Sequence, residues 1–201
     1  MPNTSPSDPS NTNTAPEPGP VHPPLGPFSP VKRDGVVLWL RDLLIAAVAS
    51  VIIIVFLYQP VRVEGTSMLP RLEDHDRLFI NKFVYDFSAI QSGDVVVFRY
   101  PLDPGKSYIK RVIALPGDRI RIDRGRVYVN GKLLREPYVP LQYRDSDSMP
   151  EIEVPPDNYF MMGDHRSNSY DSRKFGPVAR PLIYGKAVFV YWPARDVGVV
   201  R

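Results

Sequence analysis

One stretch limits what this chain can become more than any other. From Val36 to Tyr58 it reads VVLWLRDLLIAAVASVIIIVFLY, the only apolar run of membrane length in 201 residues. Its uninterrupted part, Leu43–Tyr58, would extend about 24 Å as a helix, short of the roughly 30 Å of bilayer hydrocarbon. Adding Val36–Leu40 supplies the length, with Arg41 and Asp42 near one end, where they can snorkel or pair. Trp39 and Tyr58 flank the run as interfacial aromatics do. A helix apolar on every side is hard to bury in a small β-rich protein, so a transmembrane anchor is expected over residues 35–60. The run is longer than a signal-peptide core. It is followed by Gln59-Pro60-Val61-Arg62 with no small-x-small cleavage site, so it is expected to stay attached. Lys32, Arg33 and Arg41 before it, against Arg62 and Arg71 after it, favour a cytoplasmic N-terminus. Residues 61–201 would then face outward across the cell membrane.

Residues 1–30 are rich in Pro, Ser, Thr and Asn. They cannot bury enough apolar surface to offset the entropy of ordering, and a disordered Pro-rich tail is expected over residues 1–34. The net charge is +3, and the first thirty residues hold Asp8 and Glu17 with no Lys or Arg, so the remainder carries +5. Its arginines are scattered rather than clustered with aromatics, which argues against a nucleic-acid partner. No cysteine is present, which removes disulfides, cysteine-based zinc sites and a thiol nucleophile. Three histidines, one of them in the tail and none in an H-x-x-x-H pair, give no basis for a metal or cofactor.

Beyond the anchor the chain reads as short strands. DRLFINKF, DVVVFRY, SYIKRVIAL, DRIRIDRG, RVYVNGKLL, NYFMMG and KAVFVYW are β-branched or aromatic and bounded by Gly, Pro, Asp or Asn. Asn130-Gly131 is a strong hairpin signal. Val95–Phe98 does not alternate, as expected of a strand buried on both faces. The fold class is therefore all-β and mostly antiparallel. The expected layout is a catalytic domain over 61–201 with a hairpin subdomain between 119 and 160.

Ser67 lies in VEGTSMLPRL, after Gly65 and before Pro70, a setting that can hold a hydroxyl rigidly. A turn serine can equally bond its own backbone. Lys110 lies in YIKRVIAL, where strand alternation places it with Tyr108 and Val112. An amine on an apolar wall loses hydration, its pKa falls, and it can take a proton from a serine. Alternatively its stem lies on the sheet and the amine snorkels out. The loop GDHRSNSYDSRKFGP, residues 163–177, alternates acids and arginines in a way that suits locking ion pairs. His75 and His165 remain rival bases, since a Ser-His-Asp triad assembles in space.

Taken in order, SMLP, GDVVVFRYP, YIKRVIALPGD and GDHRSNSYDSR resemble the signature segments of the type I signal peptidases. The likeness runs over most of residues 61–190. It implies a membrane-bound serine endopeptidase that removes signal peptides from exported preproteins after small residues, next to lipid and near the secretion translocon. It makes Ser67 the nucleophile and Lys110 the general base, with Ser169 hydrogen-bonded to the lysine amine. Asp164 with Arg111, and Asp171 with Arg173, would be structural ion pairs. Val61, Val63, Met68, Leu72, Leu78, Val97, Tyr108 and Ile109 would line small apolar substrate pockets. The sequence departs from the pattern at His165, where Asn is usual, and at Arg71, where Thr is common. Gly65 takes a position where some members carry a hydroxyl that helps bind the oxyanion, which leaves the Ser67 N–H as the donor. A self-cleaving Ser-Lys repressor-type protease shares this chemistry but lacks such an anchor. A non-enzymatic tethered β-domain would leave the lysine unexplained.

Overall fold

The computed structural model describes residues 33–200; the expected tail lies outside them apart from Arg33 and Asp34, which open a helix. This helix, α1, spans Arg33–Leu57. Its segment Gly35–Ile54 has a mean hydropathy of 2.3, is wholly exposed, and is long and apolar enough to cross a membrane. The polar groups inside it are satisfied locally: Arg41 pairs with Asp42 at 2.9 Å and the Ser50 hydroxyl donates to the Ala46 carbonyl at 2.8 Å. The helix stops three residues short of the expected end, because Tyr58–Arg62 form strand β1. Pro60 explains this: it disfavours helix at Gln59 and lacks an N–H, which an edge strand tolerates.

The strands that follow are β2 (Arg77–Asn81), β3 (Val95–Tyr100), β4 (Asp103–Ala114), β5 (Arg119–Asp123) and β6 (Arg126–Val129). Next come β7 (Lys132–Leu133), β8 (Met149–Glu153), β9 (Asn158–Met162), β10 (Val178–Ala179), β11 (Ile183–Trp192) and β12 (Gly198–Val199). Two one-turn helices, α2 (Val84–Phe87) and α3 (Ser172–Phe175), interrupt them. The main sheet runs β1-β2-β11-β3-β4-β9-β10 with β12 beside β11, and a smaller sheet runs β7-β6-β5-β8. Pairing is antiparallel throughout both, so the domain is all-β, preceded by an apolar helix. The hairpin at 130–131 forms where Asn-Gly marked it, with φ of 51° and 75° at the two residues.

The unbroken run on β3 has a simple cause. Val95 and Val97 join one core cluster with Met68, Leu72, Leu78 and Ile80, while Val96 and Phe98 join another with Val112, Met161 and Ile183. The central strand is thus sandwiched between two apolar layers and needs large aliphatic residues on both faces. A third cluster, including Ile113, Phe160, Ile120, Ile122 and Val127, welds the smaller sheet to the ends of β4 and β9.

Candidate active site

Ser67 rides on a wound turn between β1 and β2. The Leu69 N–H donates to the Thr66 carbonyl at 3.2 Å and the Leu72 N–H to that of Met68 at 3.0 Å. The Gly65 N–H donates to Asp74 Oδ1 at 2.9 Å. Met68 and Leu72 anchor the turn from below, both fully buried. The hydroxyl of Ser67 is therefore held by burial of its neighbours, not by its own contacts alone.

Lys110 lies opposite Val96 on β4 and is 4% exposed. Its Nζ is 2.6 Å from Ser67 Oγ, donates to the Ile109 carbonyl at 3.1 Å, and sits 5.4 Å from the centre of the Tyr108 ring. Burial disfavours the ammonium and pulls its pKa down to about 8, against the opposing pull of the Asp171 and Asp164 carboxylates. The amine is therefore available as a base in mildly alkaline water, and a serine proton is within its reach.

The loop after β9 is held by ion pairs. Arg111 forks onto Asp164 at 2.8 and 2.7 Å, with side-chain exposures of 2% and 0%. The Arg111 guanidinium also lies 4.2 Å from the centre of the Tyr138 ring. Arg173 forks onto Asp171 at 2.8 Å on both oxygens and also pairs with Asp145; Arg166 pairs with Glu136. Burial acts to raise the Asp171 pKa, but the bonded Arg173 outweighs it and holds the carboxyl below the usual range. Asp171 also caps α3 through the Arg173 N–H and accepts the Gly163 N–H at 3.0 Å.

Ser169 does not do what was expected of it. Its Oγ is buried, lies close enough to Asp171 to help lower that pKa, and meets hydrogen-bond geometry with no group among the described residues. The Lys110 amine points instead to Ser67 and to its own strand. The loop is tightly packed here: a Cβ built on Gly163 would lie 2.3 Å from Ser169 Oγ and 2.4 Å from the Ser67 carbonyl oxygen. Only a residue without a side chain lets the loop approach the serine this closely. Gly163→Ala should therefore displace the Ser67 backbone, destabilise the fold by about 1–3 kcal/mol and lower kcat/KM up to about 100-fold. Urea unfolding and steady-state turnover measure both.

His165 is not bonded to the Ser67 hydroxyl. Its Nδ1 is 3.1 Å from the Thr66 carbonyl oxygen and its ring packs edge-on against Tyr143. His75 is exposed and pairs with Asp74.

A cleft of about 570 Å³ opens beside the serine and lysine. Val61, Val63, Val97, Tyr108 and Ile109 line it as expected pocket residues would. Met68, Leu72 and Leu78 do not; they are sunk in the core cluster beneath, because turn winding and strand alternation point them inward. Thr66, Asn168, Tyr170 and Tyr184 also line it, and the sequence offered no signal for them beyond the polar loop itself. β4 pairs with β9 only from Arg111 onward, so Ser107–Lys110 turn a free strand edge toward this cleft.

A family model described as signal peptidase, peptidase S26, matches residues 36–192. A signal peptidase I of Bacillus amyloliquefaciens is 36% identical over 175 residues, which cover 83% of this chain and 93% of that one. A probable signal peptidase I-1 of Synechocystis sp. is 39% identical over 165 residues, covering 78% of this chain and 82% of that one.

Proposed function

The chain belongs to the S26 signal peptidases and is a hydrolase of that family; on that footing we propose that it cuts signal peptides from preproteins with a Ser67–Lys110 dyad. The observation that carries this reading is the 2.6 Å contact between Lys110 Nζ and Ser67 Oγ, made by an amine that is 4% exposed. Neutral Lys110 takes the Ser67 proton as Oγ attacks the scissile carbonyl carbon. The developing oxyanion is met by the Ser67 N–H, which has no other partner among the described residues. The lysine ammonium then gives its proton to the departing amine. In the second half Lys110 deprotonates the water that releases the acyl group.

The free edge of β4 at Ser107–Lys110 suits a substrate added as an extended strand, with small side chains entering between Val61, Val63, Val97, Tyr108 and Ile109. Where the side chain enters among these apolar groups, shape rejects bulk. Asp164–Arg111 and Asp171–Arg173 serve as the scaffold of the loop, and Ser169 fills the space between Gly163 and Asp171. The helix at 33–57 anchors the enzyme in the cell membrane by a single pass, N-terminus inside, catalytic domain outside and close to the secretion translocon. A preprotein held in the same bilayer is then searched for at high effective concentration.

Detergent-solubilised protein incubated with a preprotein bearing Ala at −1 tests the reading. The product should begin after that residue, and kcat/KM should rise with pH and level off above about 8, the pH to which burial brings Lys110. That limb should persist in His165→Asn. A pH limb that disappears in His165→Asn would transfer the base to the histidine.

A further inference from the structure

We infer that His165 is a positioning residue for the oxyanion donor: hydrogen-bonded to the Thr66 carbonyl, it fixes and polarises the peptide unit whose other end is the Ser67 N–H. The inference rests on the role proposed above for that N–H. Thr66 C=O and Ser67 N–H belong to one planar peptide group, so holding one end orients the other. A carbonyl oxygen only accepts, so at 3.1 Å the His165 Nδ1 must carry the proton. The Leu69 N–H also donates to the same oxygen at 3.2 Å. Hydrogen bonds accepted at the carbonyl polarise the group and strengthen its N–H as a donor.

Two further contacts from the same loop make the hold directional. The His165 N–H donates to the Ser67 carbonyl at 3.0 Å, and Asn168 Nδ2 donates to Thr66 Oγ1 at 2.9 Å. The Thr66–Ser67 pair is thus gripped at two carbonyls and one hydroxyl from residues 165 and 168. Tyr143 backs the imidazole, 4.7 Å between ring centres at 71°, so the ring is steadied on its other side.

The test uses the full chain in detergent. In His165→Ala, kcat on a preprotein should fall about 10-fold or more with KM within about 2-fold, while the lysine limb near pH 8 stays. Affinity for a peptide aldehyde should fall by the same factor. There Ser67 Oγ adds to the aldehyde carbon, the serine proton passes to Lys110, and the carbonyl oxygen takes the oxyanion's place. Affinity for an uncleaved product peptide should not change. His165→Asn, whose amide can donate to the same carbonyl, should recover activity to within a few-fold. Unchanged kcat in His165→Ala, equal losses for aldehyde and product peptide, or no recovery in His165→Asn would overturn the inference. Nitrogen-15 shifts of the histidine ring in the intact protein give a check that needs no variant: a proton on Nε2 in place of Nδ1 would also overturn it. Failure of the wild-type chain to cleave, or cleavage by Ser67→Ala, would instead defeat the dyad.

Discussion

Lys110→Met should give a folded protein with kcat/KM lower by about 10⁴-fold or more. Methionine keeps the length and apolar packing of the lysine stem but cannot accept a proton. Ser67→Ala should match it, and the double variant should be no worse than either single one, since the two groups act as a unit. The same substitution should make the fold more stable near pH 7. Burial lowers the Lys110 pKa from an ordinary 10.5 to about 8. Between those values the unfolded chain binds a proton that the folded one does not, so stability rises with pH through that window. Below about pH 8 the full penalty is present, on the order of 3 kcal/mol. The melting temperature of Lys110→Met should exceed that of the wild type at pH 7, and the gap should close as the pH is raised toward 10.5. A variant that still cleaves at near-normal rates would remove the lysine from the chemistry.

Asp164→Ala should cost about 3–5 kcal/mol in stability. It strips the fully buried Arg111 guanidinium of a bidentate carboxylate while leaving the charge inside. Against a domain stability of about 5–15 kcal/mol this is enough to unfold a large share of the protein at growth temperature. Urea unfolding should show the midpoint falling with the slope unchanged. Replacing both members by apolar residues of similar size, Arg111→Met with Asp164→Leu, should recover most of the loss, because the penalty is that of a deserted charge. If the double variant were as unstable as the single one, the pair would be contributing more than the mutual neutralisation of two buried ions.

The local patterns carried the architecture well. The apolar run marked the helix, the strand-length segments marked the sheets, and Val95–Phe98 announced a strand covered on both faces. The serine, the lysine and the loop acids were visible through their resemblance to one family. What was not legible depends on contacts far apart in the chain. Pro60 hints at where α1 ends, but the pairing of Tyr58–Arg62 with Arg77–Asn81 that turns this segment into a strand is a long-range contact. Whether Met68, Leu72 and Leu78 face the cleft or the core turns on how the 65–72 turn winds against β2 and β3. The neighbours of Ser169 follow from the close approach of Gly163 to the Ser67 carbonyl, across nearly a hundred residues. Tyr170 and Tyr184 reach the cleft from the loop after β9 and from β11, elements far apart in the chain that only the fold brings to one cleft.

Because Lys110 sits on a central strand opposite Val96, its address is a matter of parity. Side chains on β4 alternate between two oily compartments, so one extra residue within Ser107–Ile109 would slip the register and swing the amine to the opposite compartment. The sheet would still find apolar partners, yet the serine would face an isoleucine. Length changes are harmless only at the tip of the β3–β4 hairpin, where Leu102 is exposed and the added residue can loop out. An odd insertion in this strand therefore separates the amine from its serine and, by shifting Arg111 away from Asp164, strains the fold as well.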